Sequence, residues 1–390
     1  MNRQLFVLSI ASFAIGTGEF IIVGLLPQIA GEFAVSIPVA GWLVSAYALS
    51  VAFGSPVLAL LLARANRRFA AVLLLAIFTG GTIACALAPA FSLLLITRVI
   101  TALAHGAFFG IGTTIAIESV SPYKRAQAVS LLFLGLTIAN VLGVPAGTFI
   151  AQIVSWRVTL DIVAALGAIS TIGLLVAIPL PGPVADISWK KEAHSILSVD
   201  VAMVAAVSVS ASASLFALLT YISPLLTEDW HVPASFVPGA LFIFGVGLAI
   251  GGLIGGRLAD WNLRSTLVIG LSIIAVIMTV VKWLAAGVVV EAVFLFAWGM
   301  AFFLLNAPLQ ILMVEKAQAA PRLAATLNQS AFNLGDAAGA WAGSALLNSG
   351  AAYGDLPFLS AGLALTSLFF VCFTGMKTEQ IPITNPSETK

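Results

Sequence analysis

The sequence predicts an all-α integral membrane protein: twelve transmembrane helices arranged as two pseudo-symmetric six-helix bundles. Three observations carry this expectation. Of 390 residues, 61% are hydrophobic and only 8% are charged, with a mean hydropathy of +1.11, whereas soluble domains carry about 25% charged residues. Too few charges exist to clothe two or three soluble domains, so the apolar excess must face lipid. The apolar residues fall into twelve runs long enough for a bilayer core of about 30 Å, which a helix crosses in about 20 residues. Finally, Lys and Arg alternate between dense and sparse connections in the way that membrane insertion imposes.

The predicted span cores are 5 to 29, 39 to 62, 70 to 89, 93 to 117, 127 to 150 and 158 to 178 in the first half. In the second half they are 200 to 223, 237 to 258, 266 to 285, 291 to 314, 324 to 347 and 357 to 376. Arg3 ahead of an apolar stretch resembles a signal peptide, but the run is too long and lacks a small-x-small cleavage site, so it is kept as the first span. With both termini inside, the inner connections and ends hold Arg3, Arg64, Arg67, Arg68, Lys124, Arg125, Lys190, Lys191, Arg257, Arg264, Lys316, Arg322, Lys377 and Lys390, against Arg157 and Lys282 outside. Fourteen against two orients the chain with both termini cytoplasmic in the cell inner membrane, and requires an even number of spans. Arg98 alone among the basic residues stands inside a span.

Residues 179–198 form the longest polar stretch, with prolines, charges and no apolar period, and read as a cytoplasmic linker between bundles at 1–178 and 199–376. Residues 377–390 read as a cytoplasmic tail. A shift of 197 residues lays Leu61–Arg68 on Leu258–Ser265 and Pro27 on Pro224, at corresponding ends of corresponding spans. That is the mark of a parallel repeat about an axis along the membrane normal.

The composition also excludes functions. Seventeen basic residues against sixteen acidic ones leave no basic surface for a nucleic acid. Cys85 and Cys372 lie in separate apolar runs without a CxxC or a nearby His, so neither a disulfide framework nor a zinc site is expected. Without HExxH, GxSxG, paired Asp-rich motifs or a phosphate loop, a polytopic membrane enzyme is disfavoured, as is direct drive by ATP. A receptor or channel finds no sensing domain or filter-like loop.

Several motifs together resemble the major facilitator superfamily, and within it the twelve-span bacterial drug:proton antiporters, along the whole chain. Gly256-Arg257-Leu258-Ala259-Asp260 followed by Arg264 is similar to the family's loop motif. The first-half copy keeps Arg64, Arg67 and Arg68 but has Ala63 and Asn66 where the family has Asp and Gly. Arg98-x-x-x-Ala102-x-x-His105-Gly106 resembles the intramembrane Arg motif, and Gly143-Val144-Pro145-Ala146-Gly147, with Gly135 before it, resembles the antiporter motif of exporters, here with Val144 inserted. Thr17-Gly18-Glu19-Phe20, Gly24 to Pro27, Trp156-Arg157 and Phe332-Asn333-Leu334-Gly335 resemble a subgroup containing sugar and arabinose efflux proteins. The resemblance implies the major facilitator fold and proton-coupled efflux of drugs or sugars. It also implies a monomer, a conformational role for the loop and antiporter motifs, and a bend at Gly143 and Pro145 that seals the path between halves.

Within the spans, the residues that can carry chemistry are few. Glu19 lies near the middle of span one, where an ionisable group is costly unless it faces a cavity or partner. It is the expected proton carrier, since burial and a neighbouring cation drive a carboxyl's protonation in opposite directions as exposure alternates. Its expected partners on span four are Arg98, which would keep it charged, and His105, a proton relay or substrate contact. Counting about 1.5 Å per residue puts Glu19 between these two in depth. The 197-residue shift sets Phe216, Leu295 and Phe302 opposite these three residues, so proton coupling is expected in the first half and substrate contacts in the second. Asp336, mid-span in the eleventh helix where the resembled subgroup usually has Asn, is a candidate second titrating site. Phe20, Phe109, Thr137, Asn140, Tyr221, Asn306, Gln310, Gln329 and Asn333 are candidate cavity residues for a small-molecule substrate. No cofactor beyond a proton gradient is expected, and uptake by symport is the alternative direction.

Overall fold

The computed structural model describes residues 3–62, 65–177, 198–284, 287–317 and 321–373. Twelve long helical segments run through them. The first six are α1 (Arg3–Glu32), α2 (Ile37–Leu58), α3 (Arg67–Ala86), α4 (Phe91–Glu118), α5 (Gln127–Ile153) and α6 (Trp156–Ala177). The second six are α7 (Val199–Leu219), α8 (Ala234–Trp261), α9 (Leu263–Leu284), α10 (Val288–Lys316), α11 (Pro321–Asn348) and α12 (Tyr353–Phe373). Eleven are apolar enough to cross a membrane on composition alone, and α11, richer in polar residues, is the twelfth. Each predicted core falls on one of these helices, with bounds shifted by a few residues. The expected linker lies outside the described residues apart from Ser198, as do the expected tail and Arg64.

Helix ends follow local chemistry. Ser36, Asn66 and Ser198 each accept a bond from a backbone N–H in the first turn of α2, α3 and α7. Asn66 thus has a structural use where the family loop has Gly. Mid-membrane hydroxyls bond carbonyls four residues earlier, as Thr82 does to Phe78 and Thr148 to Val144, because lipid offers no water to satisfy them.

Close helix approach depends on small residues. A Cβ added at Gly335, Gly339 or Gly343 of α11 would meet the backbone of α7 at Val209, Ala213 and Ala217 respectively. Beside this seam Ser214 and Ser360 exchange hydroxyl-to-carbonyl bonds of 2.8 and 2.6 Å, tying α7 to α12. On α4 only one of two spaced glycines serves packing: Gly106 meets Ser55 and Val51, while Gly110 faces open space.

Two spans contain wide π-helical turns, Ser50–Gly54 in α2 and Ala139–Gly143 in α5, each two residues ahead of a proline, Pro56 and Pro145. Proline brings no N–H and its ring crowds the preceding turn, and the wide turn accommodates both. The expected bend at Gly143 and Pro145 therefore takes the form of a π-turn, with Gly143 against Thr17 of α1 and Gly147 against Ile21 and Thr159.

Arg3 and Phe373 lie on one face, here the terminal face, together with the Arg67–Glu118 and Lys316–Asp200 ion pairs. The opposite, distal face carries the Glu32–Arg157 and Lys282–Asp355 pairs. Contacts between bundles concentrate from mid-membrane to the distal face. The distal part of α2 packs on α11, and that of α5 on α8. Ser344 donates to Pro38 O at 2.9 Å and Gln152 to Ala234 O at 2.7 Å. The terminal parts of α2 and α5 pack mainly within their own bundle, Ser55 reaching Ala102 O and Leu131 O receiving Ser9. Gly339→Val should therefore lower stability by about 1–3 kcal/mol, since the backbone of Ala213 leaves no room. Gly80→Ala, where nothing lies within 4 Å, should not; thermal unfolding of the two purified variants in detergent checks the contrast.

Candidate functional site

The site is assembled from α1, α2 and α4 where the two bundles meet. Glu19 faces His105 across 3.7 Å from Oε1 to Nδ1, with the side chains 12% and 3% exposed. The same Nδ1 lies 3.2 Å from the hydroxyl of Tyr47 on α2. His105 therefore has two partners at one nitrogen. Neutral, it accepts from the tyrosine hydroxyl; protonated at Nδ1, it faces the Glu19 carboxylate. The Glu19 carboxyl and the His105 imidazole thus stand side by side beyond hydrogen-bond distance, with the Tyr47 hydroxyl the nearer partner of Nδ1.

Arg98 is held differently from the sequence expectation. Its guanidinium donates to the main-chain carbonyls of Gly18 at 2.7 Å and Glu19 at 3.3 Å, not to the Glu19 carboxylate. Each helical carbonyl has a second lone pair free for such a bond. The guanidinium also stands 4.0 Å above the Tyr47 ring, which offers its negative π face to the cation. Arg98 thus clamps the backbone of α1 and places a fixed charge beside Glu19, while Nε has no partner. Tyr47 is one residue of the site that sequence reasoning missed. It touches both Arg98 and His105, yet in the sequence it is one aromatic in an apolar run.

Around this core the candidate cavity residues divide. Phe20 packs against Phe216 of α7 at 6.2 Å, joining the bundles one residue from Glu19. Phe109 lies 5.2 Å from the His105 ring and stacks on Phe133 at 5.3 Å. Thr137 and Asn140 bond carbonyls of their own helix, and the Asn140 backbone packs under Gly245 of α8. Tyr221 is wholly buried near the distal face, its hydroxyl donating to Ala340 O at 2.9 Å and its ring against Gly41 and Gly343. It fastens α7 to α11 and α2.

In the second half, Gln310 accepts from Asn328 at 2.7 Å, and Asn328 accepts from Ser208 at 2.7 Å. This chain across α10, α11 and α7 includes two residues, Asn328 and Ser208, that the sequence did not single out, because serine and asparagine in helices usually bond their own backbone. Asn306 opens the second part of α10 after a break at Leu304 and Leu305. Gln329 is exposed, and its carbonyl accepts from Asn333. Asp336 is buried and accepts a hydrogen bond from Ser212 of α7. The acids are therefore not confined to the first half. Glu291, read from sequence as the start of span ten, is 3% exposed with Oε2 unpartnered.

Of the loop-motif residues, Arg67 pairs with Glu118 and Arg68 donates to Leu175 O. Asp260 is exposed and Arg264 half-buried at the terminal ends of α8 and α9, and Gly256 has open space beside it. Among the described residues, neither Asp260 nor Arg264 forms an ion pair. Tyr47→Phe should cost about 0.5–1.5 kcal/mol through the lost bond to His105, and Tyr47→Ala more, since the ring beneath Arg98 goes as well. Thermal unfolding of both variants measures the order.

Comparison with known proteins agrees with this architecture. The family model described as Major Facilitator Superfamily matches residues 8–340. The chain is 41% identical to the inner membrane transport protein YdhP of Escherichia coli strain K12, over 95% of this chain and 96% of that one. It is 29% identical to a chloramphenicol resistance protein of Streptomyces lividans over 96% of each. In fold it is similar to a bacterial homologue of the human lysosomal transporter Spinster, solved in an inward-facing, unoccupied conformation, with a TM-score of 0.71, 17% identity, and coverage of 95% of this chain and 94% of that one. Its sequence, its twelve helices and these likenesses together place this multi-pass membrane chain in the Major Facilitator Superfamily, to which it belongs.

Proposed function

We propose that the protein is a proton-coupled secondary transporter that exports small organic solutes by alternating access, with Glu19 as the proton carrier. The Glu19–His105 pair at 3.7 Å carries this reading. An acid stands beside a base inside the membrane, where the bundles meet and any movement between them changes their surroundings. Arg98, immobilised on α1 carbonyls, keeps a positive charge beside the carboxyl throughout the cycle. Tyr47 steers the imidazole toward it.

Direction and sidedness have their own support. The distribution of basic residues favours a terminal face in the cytoplasm, and YdhP is named as an inner membrane protein. A relative named for chloramphenicol resistance favours export. With the bundles joined at the distal face, the described conformation would open toward the cytoplasm. Switching would then break the Ser344–Pro38, Gln152–Ala234 and Phe20–Phe216 contacts, while the terminal parts of α2 and α5 swing together with α11 and α8. A proton arriving from outside would discharge Glu19 and lower the cost of the change, and its release inside would reset the site for substrate. The gradient supplies the energy, without a cofactor, in a single copy of the chain.

In proteoliposomes with an imposed proton gradient, Glu19→Gln should lose gradient-driven export by at least about tenfold, a barrier change of about 1.4 kcal/mol. Exchange of substrate without a gradient should continue. Gradient-driven export at the unmodified rate would remove Glu19 from the role.

A further inference from the structure

A row of rings leads from the Glu19–His105 pair toward the terminal face. Phe109 lies one turn beyond His105 on α4, with the ring centroids 5.2 Å apart. Phe133 of α5 lies 5.3 Å from Phe109 and nearly parallel to it, at 16°. Phe109 is buried and backs the stack, while Phe133 is 39% exposed. Among the described residues Phe109 is the ring that Phe133 meets, so one face of Phe133 is covered and the other is open.

Helix phase decides what that open face meets. Phe133, Thr137 and Asn140 fall at i, i+4 and i+7, on one side of α5. At Asn140 this side is covered by the opposite bundle, since the backbone of Asn140 and Val141 lies against Gly245 of α8. Toward the terminal face the cover is lost: Asn140 and Thr137 are half-buried, and Phe133 is exposed. The neighbouring stripe of Leu134, Ile138 and Leu142 is exposed at every level, as a lipid-facing surface is. Phe133 is instead uncovered where the bundles part, so its open face fronts the space between them. The polar groups on this side are engaged. Thr137 donates to Phe133 O at 3.4 Å and the Asn140 amide to Leu136 O at 3.1 Å. A polyol laid here would find few free donors for its hydroxyls, which is costly where water is scarce. A flat aromatic ring needs only a π face, and offset-stacked rings attract one another beyond the area they bury.

We propose that the open face of Phe133, backed by Phe109, is the platform on which a planar aromatic solute stacks, extending the pair to three rings. The inference names the substrate class for the transport reading above and rests on it. Such a solute stands two rings from His105, so it loads beside the Glu19–His105 pair and does not take its place. Phe133 is then a specificity-determining residue, since its ring selects flat solutes over saturated ones of the same size.

Equilibrium dialysis of the purified full-length protein in lipid nanodiscs, against protein-free nanodiscs, isolates the stacking. The probes are coumarin, its saturated counterpart octahydrocoumarin, which keeps the lactone and loses the flat ring, and arabinose. Coumarin should bind at least about threefold more tightly than octahydrocoumarin, within the range that ring stacking adds, and arabinose more weakly than either. Phe133→Leu, which keeps the apolar bulk, should erase the preference and leave octahydrocoumarin unaffected, and Phe133→Tyr should keep it. Equal affinity for coumarin and octahydrocoumarin, binding of neither by the unmodified protein, tightest binding of arabinose, or an undiminished preference in Phe133→Leu would overturn the proposal. Gradient-driven transport is scored separately. Proton-driven export without an aromatic preference defeats this inference and leaves the transport reading standing, whereas an aromatic preference without gradient-driven transport does the reverse.

Discussion

The structure turns on one permanently charged side chain inside the membrane. A guanidinium cannot give up its proton to escape lipid, so Arg98 must be met by dipoles and π electrons wherever it stands. Two carbonyls of α1 and the Tyr47 ring meet it, which fixes α1, α2 and α4 against one another. Glu19 and His105 then face each other because the helices bearing them are already in register. A point charge on a lysine could not make the same pair of forked bonds.

Much of the fold was legible in the sequence because lipid enforces simple rules. A span must be long, apolar and helical, and α11 remained recognisable despite its polar residues because its run of 24 core positions, 324 to 347, holds one formal charge, Asp336. Glu19, Arg98 and His105 stood out as ionisable groups in apolar surroundings. Their pairing was less legible. Sequence depth placed Glu19 between Arg98 and His105, but whether a guanidinium reaches a carboxylate or the carbonyls beside it depends on helix rotation, which apolar runs do not encode. Tyr47 and Ser212 escaped for a related reason. Each matters through what it touches on another helix, and neither is unusual within its own. The repeat was informative in an indirect way: Phe216, the positional counterpart of Glu19 in the second half, packs beside it on Phe20.

The two halves use similar devices unequally. Glycine seams bring α11 onto α7 and α8 onto α10, where Gly247, Gly251 and Gly255 meet the backbone at Phe296, Met300 and Leu304. The first bundle relies more on polar and aromatic anchoring, with Arg157 bound to Glu32, to Ala86 O and over Trp156 at the distal face. The bundle with the glycine seams thus packs backbone to backbone, while the bundle with the Glu19–His105 pair is pinned at its middle and its distal end by arginines.

The wide turns in α2 and α5 carry a further consequence. One residue in an α-helix advances the surface by about 100°, so a turn holding an extra residue offsets the phase of everything beyond it. On one side of the offset each helix shows its face to the opposite bundle; on the other side it shows that face to its own. A single rod can therefore belong to two neighbourhoods at once, and the boundary between them is written into its winding rather than into its side chains.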